Sequence, residues 1–182
     1  MMDYTLIRSR RKTLSIEITP RGEILVRAPA RMPRREIQYF LESRRDWITA
    51  HLAKLEPAPE PLSAAELQFL AAMAKETIPP RAAAFAARLG VTFGHITIRA
   101  QKTRWGSCSV QGNLNFNCLL MLAPEAVLDY VIVHELCHRK QMNHSAQFWA
   151  EVERILPDYT EQRRWLKQQG ANLLARLPDA QK

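Results

Sequence analysis

Pro57, Pro59 and Pro61 fall within five consecutive positions, and no helix can run through them. Proline fixes φ and lacks the backbone N–H that helical turns require, so the stretch reads as a stiff linker. It divides the 182 residues into an N-terminal segment 1–56, a linker 57–61 and a larger segment 62–182. A domain of ~100–150 residues with an appendage fits that division. With 47% hydrophobic and 24% charged residues, gross disorder and fibrous repeats are excluded. Six glycines and 11 prolines are too few for a turn-rich β-sandwich, so helices should dominate.

The N-terminal segment opens with polar–apolar alternation at 4–9 and 13–18. A Pro20-Arg21-Gly22 turn and Glu23 to Arg27 follow. This pattern predicts an antiparallel β meander. From Arg34 to Leu55 apolar residues return at helical spacing, which predicts one helix. Beyond the linker, Ser63 and Glu66 form a capping box for a helix to about Thr77. Pro79-Pro80 should interrupt it before a second piece ends at Leu89, where Gly90 suits a C-terminal cap. Residues 91–100, 103–110 and 114–117, with a Gln111-Gly112-Asn113 turn, predict a small antiparallel sheet. Helices are then expected over Pro124–Met142, Ser145–Leu156 and Asp158–Arg176. The fold class is α+β.

The chemistry concentrates in His134-Glu135-Leu136-Cys137-His138. At ~100° per residue, positions 134 and 138 lie about 40° apart on a helix, so both imidazoles leave one face. One metal ion can take a nitrogen from each. Glu135 lies roughly 80° to the side, where its carboxylate reaches a metal-bound water rather than the metal, as a general base must. With 5 histidines and 13 glutamates, chance produces such a spacing in roughly one chain of this length per hundred. A catalytic zinc site needs a third protein ligand and an open position. His144 is the first candidate, provided the helix ends near Met142 and Asn143 turns the chain in a left-handed conformation. Glu151 or Glu153 is the alternative, and Cys108, Cys118 and His95 are weaker ones.

Charge suggests a second theme. The chain carries +8 overall. Residues 1–56 hold 12 basic and 7 acidic side chains, so +5 of that charge lies there. Arg8, Arg10, Arg11, Lys12, Arg34, Arg35, Arg44 and Arg45 could steer phosphates, although no base-reading motif accompanies them. Three cysteines without framework spacing read as reduced thiols, and no export signal or apolar span is visible. A cytoplasmic protein with no membrane association is the expectation.

Trp105-Gly106-Ser107-Cys108-Ser109, Gly112-Asn113-Leu114-Asn115-Phe116-Asn117, Asp129 through His138, Asn143-His144-Ser145 and Phe148-Trp149 together resemble the YgjP-like metal-dependent peptidases. The similarity is densest over residues 100–170. It implies a zincin-like metallopeptidase fold, related to SprT-like and Spartan-type proteases. It also implies zinc held by His134, His138 and His144, with Glu135 as catalytic base. A strand before the helix, near Trp105–Val110 or Leu114–Asn117, would run along the cleft and pair with an extended peptide. Trp105 and Trp149 could wall a substrate pocket, Asn115 and Asn117 could bond a substrate backbone, and Arg104 or Tyr159 could steady an oxyanion.

Two functions compete. The first is a zinc-dependent peptidase acting on a peptide or protein, in which zinc-bound water activated by Glu135 attacks a peptide carbonyl. The second is a zinc-stabilised nucleic-acid-associated protein. A protease recruited to DNA-bound protein would combine them.

Overall fold

A computed structural model describes residues 3–19, 22–55 and 59–178. The chain divides into two compact units, Met1–Pro59 and Glu60–Lys182. Pro57, within the expected linker, lies outside the described residues, as do Pro20 and Arg21 of the first expected turn.

In the first unit, β1 (Thr5–Ser9), β2 (Ser15–Ile18) and β3 (Ile24–Pro29) form a sheet in the order β1-β3-β2. β2 and β3 are antiparallel as expected, but β1 runs parallel to β3 and not beside β2. The expected meander is therefore corrected to a mixed sheet. β3 takes the centre because it carries the strongest alternation, with Ile24, Val26 and Ala28 all buried. Gly22, at φ +78°, supplies the left-handed step of the hairpin.

The single helix expected over 34–55 is two helices, α1 (Arg34–Ser43) and α2 (Arg45–Leu52). The Ser43 hydroxyl donates to the Phe40 carbonyl at 2.8 Å, a back-bond that loosens a last turn, and Arg44 leaves helical geometry at φ −112°, ψ 8°. Ile37, Leu41 and Ile48 from these helices close the small core over β3.

In the second unit, α3 (Ala64–Leu89) begins at the expected capping box: Ser63 accepts from the Glu66 N–H, and Glu66 accepts from the Ser63 N–H. It ends at Gly90, φ +70°. Pro79-Pro80 does not interrupt it. The two missing N–H groups cost stability, roughly 3 kcal/mol for a proline inside a helix. The buried row Leu70, Ala74, Ile78, Ala82, Ala86 and Leu89 keeps the helix continuous through that weak point.

β4 (Ile96–Arg99), β5 (Gly106–Cys108) and β6 (Leu114–Asn117) follow in the order β4-β6-β5. β4 runs parallel to β6 and β5 antiparallel to it, so the expected antiparallel sheet is also a mixed one. A buried 3-10 turn, Cys118–Leu122, leads into α4 (Glu125–Cys137), α5 (Ala146–Ile155) and α6 (Tyr159–Leu174). α4 is buried on nearly every side, from Val127 to Cys137. The Arg81 guanidinium on α3 pins it through Asp129 at 2.9 Å. Among the described residues, no helix is long and apolar enough to cross a membrane.

Candidate metal centre and cleft

The last turn of α4 delivers His134 and Glu135, and His138 stands at its cap. The helix stops at Cys137, five residues short of the Met142 expected from sequence. His138 is part of the reason. Its Nδ1 lies 3.0 Å from the Gln141 carbonyl, a bond that curls the chain back just past the helix end. Arg139 strengthens the stop by leaving the helix axis. It donates to the carbonyls of Thr92 and Val110 at 3.0 and 3.1 Å, fastening the segment before β4 and the β5–β6 hairpin to the helix end.

The chain then brings His144 under His134. Their Nε2 atoms are 3.0 Å apart. No described non-glycine residue has positive φ, so Asn143 does not make the left-handed turn expected of it. Ser145 does cap α5, accepting from the Phe148 N–H. One nitrogen from each of His134, His138 and His144 lies within 4.8 Å of the other two.

Aromatic rings hold this triad. The buried Phe148 ring lies 4.9, 4.7 and 4.8 Å from the rings of His134, His138 and His144. Trp149 stacks on His144 at 5.7 Å, Tyr159 stacks on Trp149 at 5.4 Å, and the Arg163 guanidinium covers the Trp149 ring at 4.5 Å.

The donors fit a metal such as zinc. Two imidazole nitrogens on one tetrahedral ion with ~2.0–2.1 Å bonds stand roughly 3.3 Å apart, close to the separation seen between His134 and His144. The Nδ1 bond of His138 fixes its tautomer and leaves the Nε2 lone pair for the site. His134 Nδ1 is buried without a hydrogen-bond partner, so Nε2 is the polar outlet of that ring. Burial, reinforced by the neighbouring His138 and His144, pushes the His134 imidazole down to about 3, and burial also lowers His138. Both are therefore neutral near pH 7, as ligands must be.

The alternative third ligands are committed elsewhere or lie apart. Glu151 bonds Lys140 at 3.0 Å and Arg154 at 2.9 Å, partners that hold its carboxyl below the usual range, and Glu153 is exposed. Among the described residues, the three histidines are the group able to hold a metal.

Glu135 is 6% exposed, and burial pushes its carboxyl up to about 8 against the pull of Arg104. It lines a cleft of about 250 Å³ with the three histidines, Gly106, Ser107, Cys108 and Met142. Trp105, Asn115 and Asn117, expected as substrate contacts, are not part of that lining. Trp105 packs against Gly170, and the Asn115 amide donates to Ser107 Oγ at 3.3 Å. Asn117 is fully buried, donating to the carbonyls of Gln101 and Arg104 and accepting from the Leu119 N–H. Its amide anchors the loop before β5.

Sequence reasoning gave Phe148, Arg139 and Gly106 no role at the site. Phe148 stood beside Trp149 in the quoted motif, and helical spacing alone could not tell which ring would face the histidines.

The sequence pattern of the YgjP-like, metallopeptidase domain matches residues 12–69 and 59–169. The chain belongs to this family. Its architecture is α+β, with His134 in the last turn of a helix and His138 at that helix's cap, beside a small sheet. Two solved structures are similar over part of the chain. The metallopeptidase zymogen of Pyrococcus abyssi abylysin aligns at 24% identity and TM-score 0.46, over 50% of this chain and 94% of that one. That of Methanocaldococcus jannaschii jannalysin aligns at 24% identity and TM-score 0.46, over 50% and 95%. Comparison with curated proteins finds no match.

The basic N-terminal segment spends part of its charge internally. One Arg8 nitrogen donates to the carbonyls of Pro29, Ala30 and Met32 at 3.2, 2.9 and 2.8 Å. Arg27 pairs with Glu17 and Arg45 with Glu42.

Proposed function

We propose that residues 62–182 form a zinc-dependent peptidase domain, with His134, His138 and His144 as ligands and Glu135 as the catalytic base. The observation that carries this reading is the convergence of three imidazoles beside a buried carboxylate in an open cleft. Three imidazole nitrogens lining an open cleft suit catalytic zinc, whereas structural zinc sites are closed by four ligands. When bound, zinc supplies Lewis acidity and lowers the pKa of water to ~7.

Glu135 takes the proton that the attacking water loses, on a carboxylate oxygen. It returns that proton to the leaving amine as the C–N bond breaks. Burial raises its proton affinity in the metal-free protein, and the positive charge of a bound zinc would act in the opposite direction and favour the ionised form that a base requires. β4 and β5 are the outer strands of this sheet and β6 is its centre, so of the two strands expected along the cleft β5 is the one with a free edge for an extended peptide. Gly106, Ser107 and Cys108 would present that edge beside Glu135.

The test is zinc content together with cleavage of an unfolded protein such as casein, for the wild type and Glu135→Gln. About one zinc per chain in both is expected, with kcat/KM falling ~10²–10⁴-fold in the variant. Absence of zinc after reconstitution, or full activity in Glu135→Gln, overturns the reading.

A further inference from the structure

Glu135 leans against a strand position that has no side chain. A Cβ on residue 106 would lie 2.6 Å from Glu135 Oε1, 2.7 Å from its Cγ and 2.9 Å from its Cδ. Carbon atoms do not approach that closely without something moving. The φ of Gly106 is not positive, unlike those of Gly22, Gly90 and Gly112. Any residue could adopt its backbone conformation, so the approach of Glu135 alone demands glycine.

The backbones around this contact are held. β5 pairs with β6 through Gly106↔Phe116, Ser107↔Asn115 and Cys108↔Leu114, and the Trp105 carbonyl accepts from the Asn117 N–H at 2.8 Å. On the other side, Leu136 and Cys137 are fully buried and prevent α4 from retreating. The group free to yield is the Glu135 carboxylate, which borders the cleft.

We propose that Gly106 is a positioning residue: the bare backbone of β5 lets the Glu135 carboxylate settle beside the three histidines, and any side chain there would push it off. The kinetic part of this proposal rests on Glu135 being the catalytic base, while the steric part does not.

The test is Gly106→Ala. A crystal structure should show the Glu135 carboxylate displaced by about 1 Å or more, with the backbones of β5 and α4 in place. Zinc content should match the wild type while kcat falls ~100-fold, the scale of an ångström misplacement at a reacting centre, and by more than KM changes. An unmoved carboxylate, or a loss confined to KM, overturns the proposal. A wild type that cleaves no peptide would count against the peptidase reading, and the displaced carboxylate would still support Gly106. Should Gly106→Ala not fold, Gly106→Ala combined with Glu135→Ala removes the atoms the methyl meets. Folding of that double variant supports the proposal, and its failure to fold overturns it.

Discussion

The two units carry the same sheet, strand for strand. In each, the first strand runs parallel to the third, the second antiparallel to it, and the third lies in the centre. Only one of them holds a metal-binding cluster among the described residues. The difference lies in the helices. α1 buries Ile37 and Leu41 and α2 buries Ile48, so both keep a wide face in water. α4 buries nine residues in its 13, leaving its polar groups with little water of their own. An identical strand order is thus a scaffold in both cases. The chemistry comes from a helix sunk deep enough to desolvate His134 and Glu135.

If that contrast is right, metal removal should act on one unit only. Zinc at 1,000 times its Kd stabilises the state that binds it by about 4 kcal/mol. Chelation should therefore speed amide hydrogen exchange across residues 60–178 and leave residues 3–55 unchanged. Equal acceleration in both, read by mass spectrometry, would break the comparison.

A smaller effect follows from the desolvated pair in the metal-free protein. Glu135 is raised from 4.5 to about 8, so the folded state binds its proton more tightly than the unfolded chain does. Stability from this group is present below about pH 4.5 and is lost as pH rises through 8. His134 is lowered from 6.5 to about 3, so its contribution is present above 6.5 and is lost as pH falls through 3. Glu135→Gln should flatten the decline in melting temperature between pH 6.5 and 8 with chelator present. An unchanged slope would place the titrating group elsewhere.

The smallest effect is expected in the first unit. Arg8→Ala removes three exposed bonds to the carbonyls of Pro29, Ala30 and Met32 and should cost about 1 kcal/mol. Chemical denaturation followed through the N-terminal unit measures it, and zinc content should not move. A loss of zinc in Arg8→Ala would show that the units do not act separately.

Much of the local structure was legible because it depends on neighbours in sequence. The capping box at Ser63 and Glu66, the Gly90 cap, the Ser145 cap and the placing of His134 and His138 on one helix face are all set within five residues. Such features close hydrogen bonds over a single turn, and side-chain chemistry alone decides them.

What the sequence could not decide was competition between distant groups. Strand order turned on which strand buried most, so β3 and β6 took the centres and the first strand of each unit was displaced to the far edge. Proline signals at 79 and 80 were correct locally and were overruled by the buried row along α3. The end of α4 is set by the local His138–Gln141 bond together with Arg139 reaching the carbonyls of Thr92 and Val110, 47 and 29 residues away in sequence. The approach of Gly106 to Glu135 belongs to the same class. That His134 and His138 share one helix face could be read from their spacing, because i and i+4 on a helix are neighbours by geometry. Their depth, and the backbone against which Glu135 rests, could not, because burial is a property of every segment packed around them.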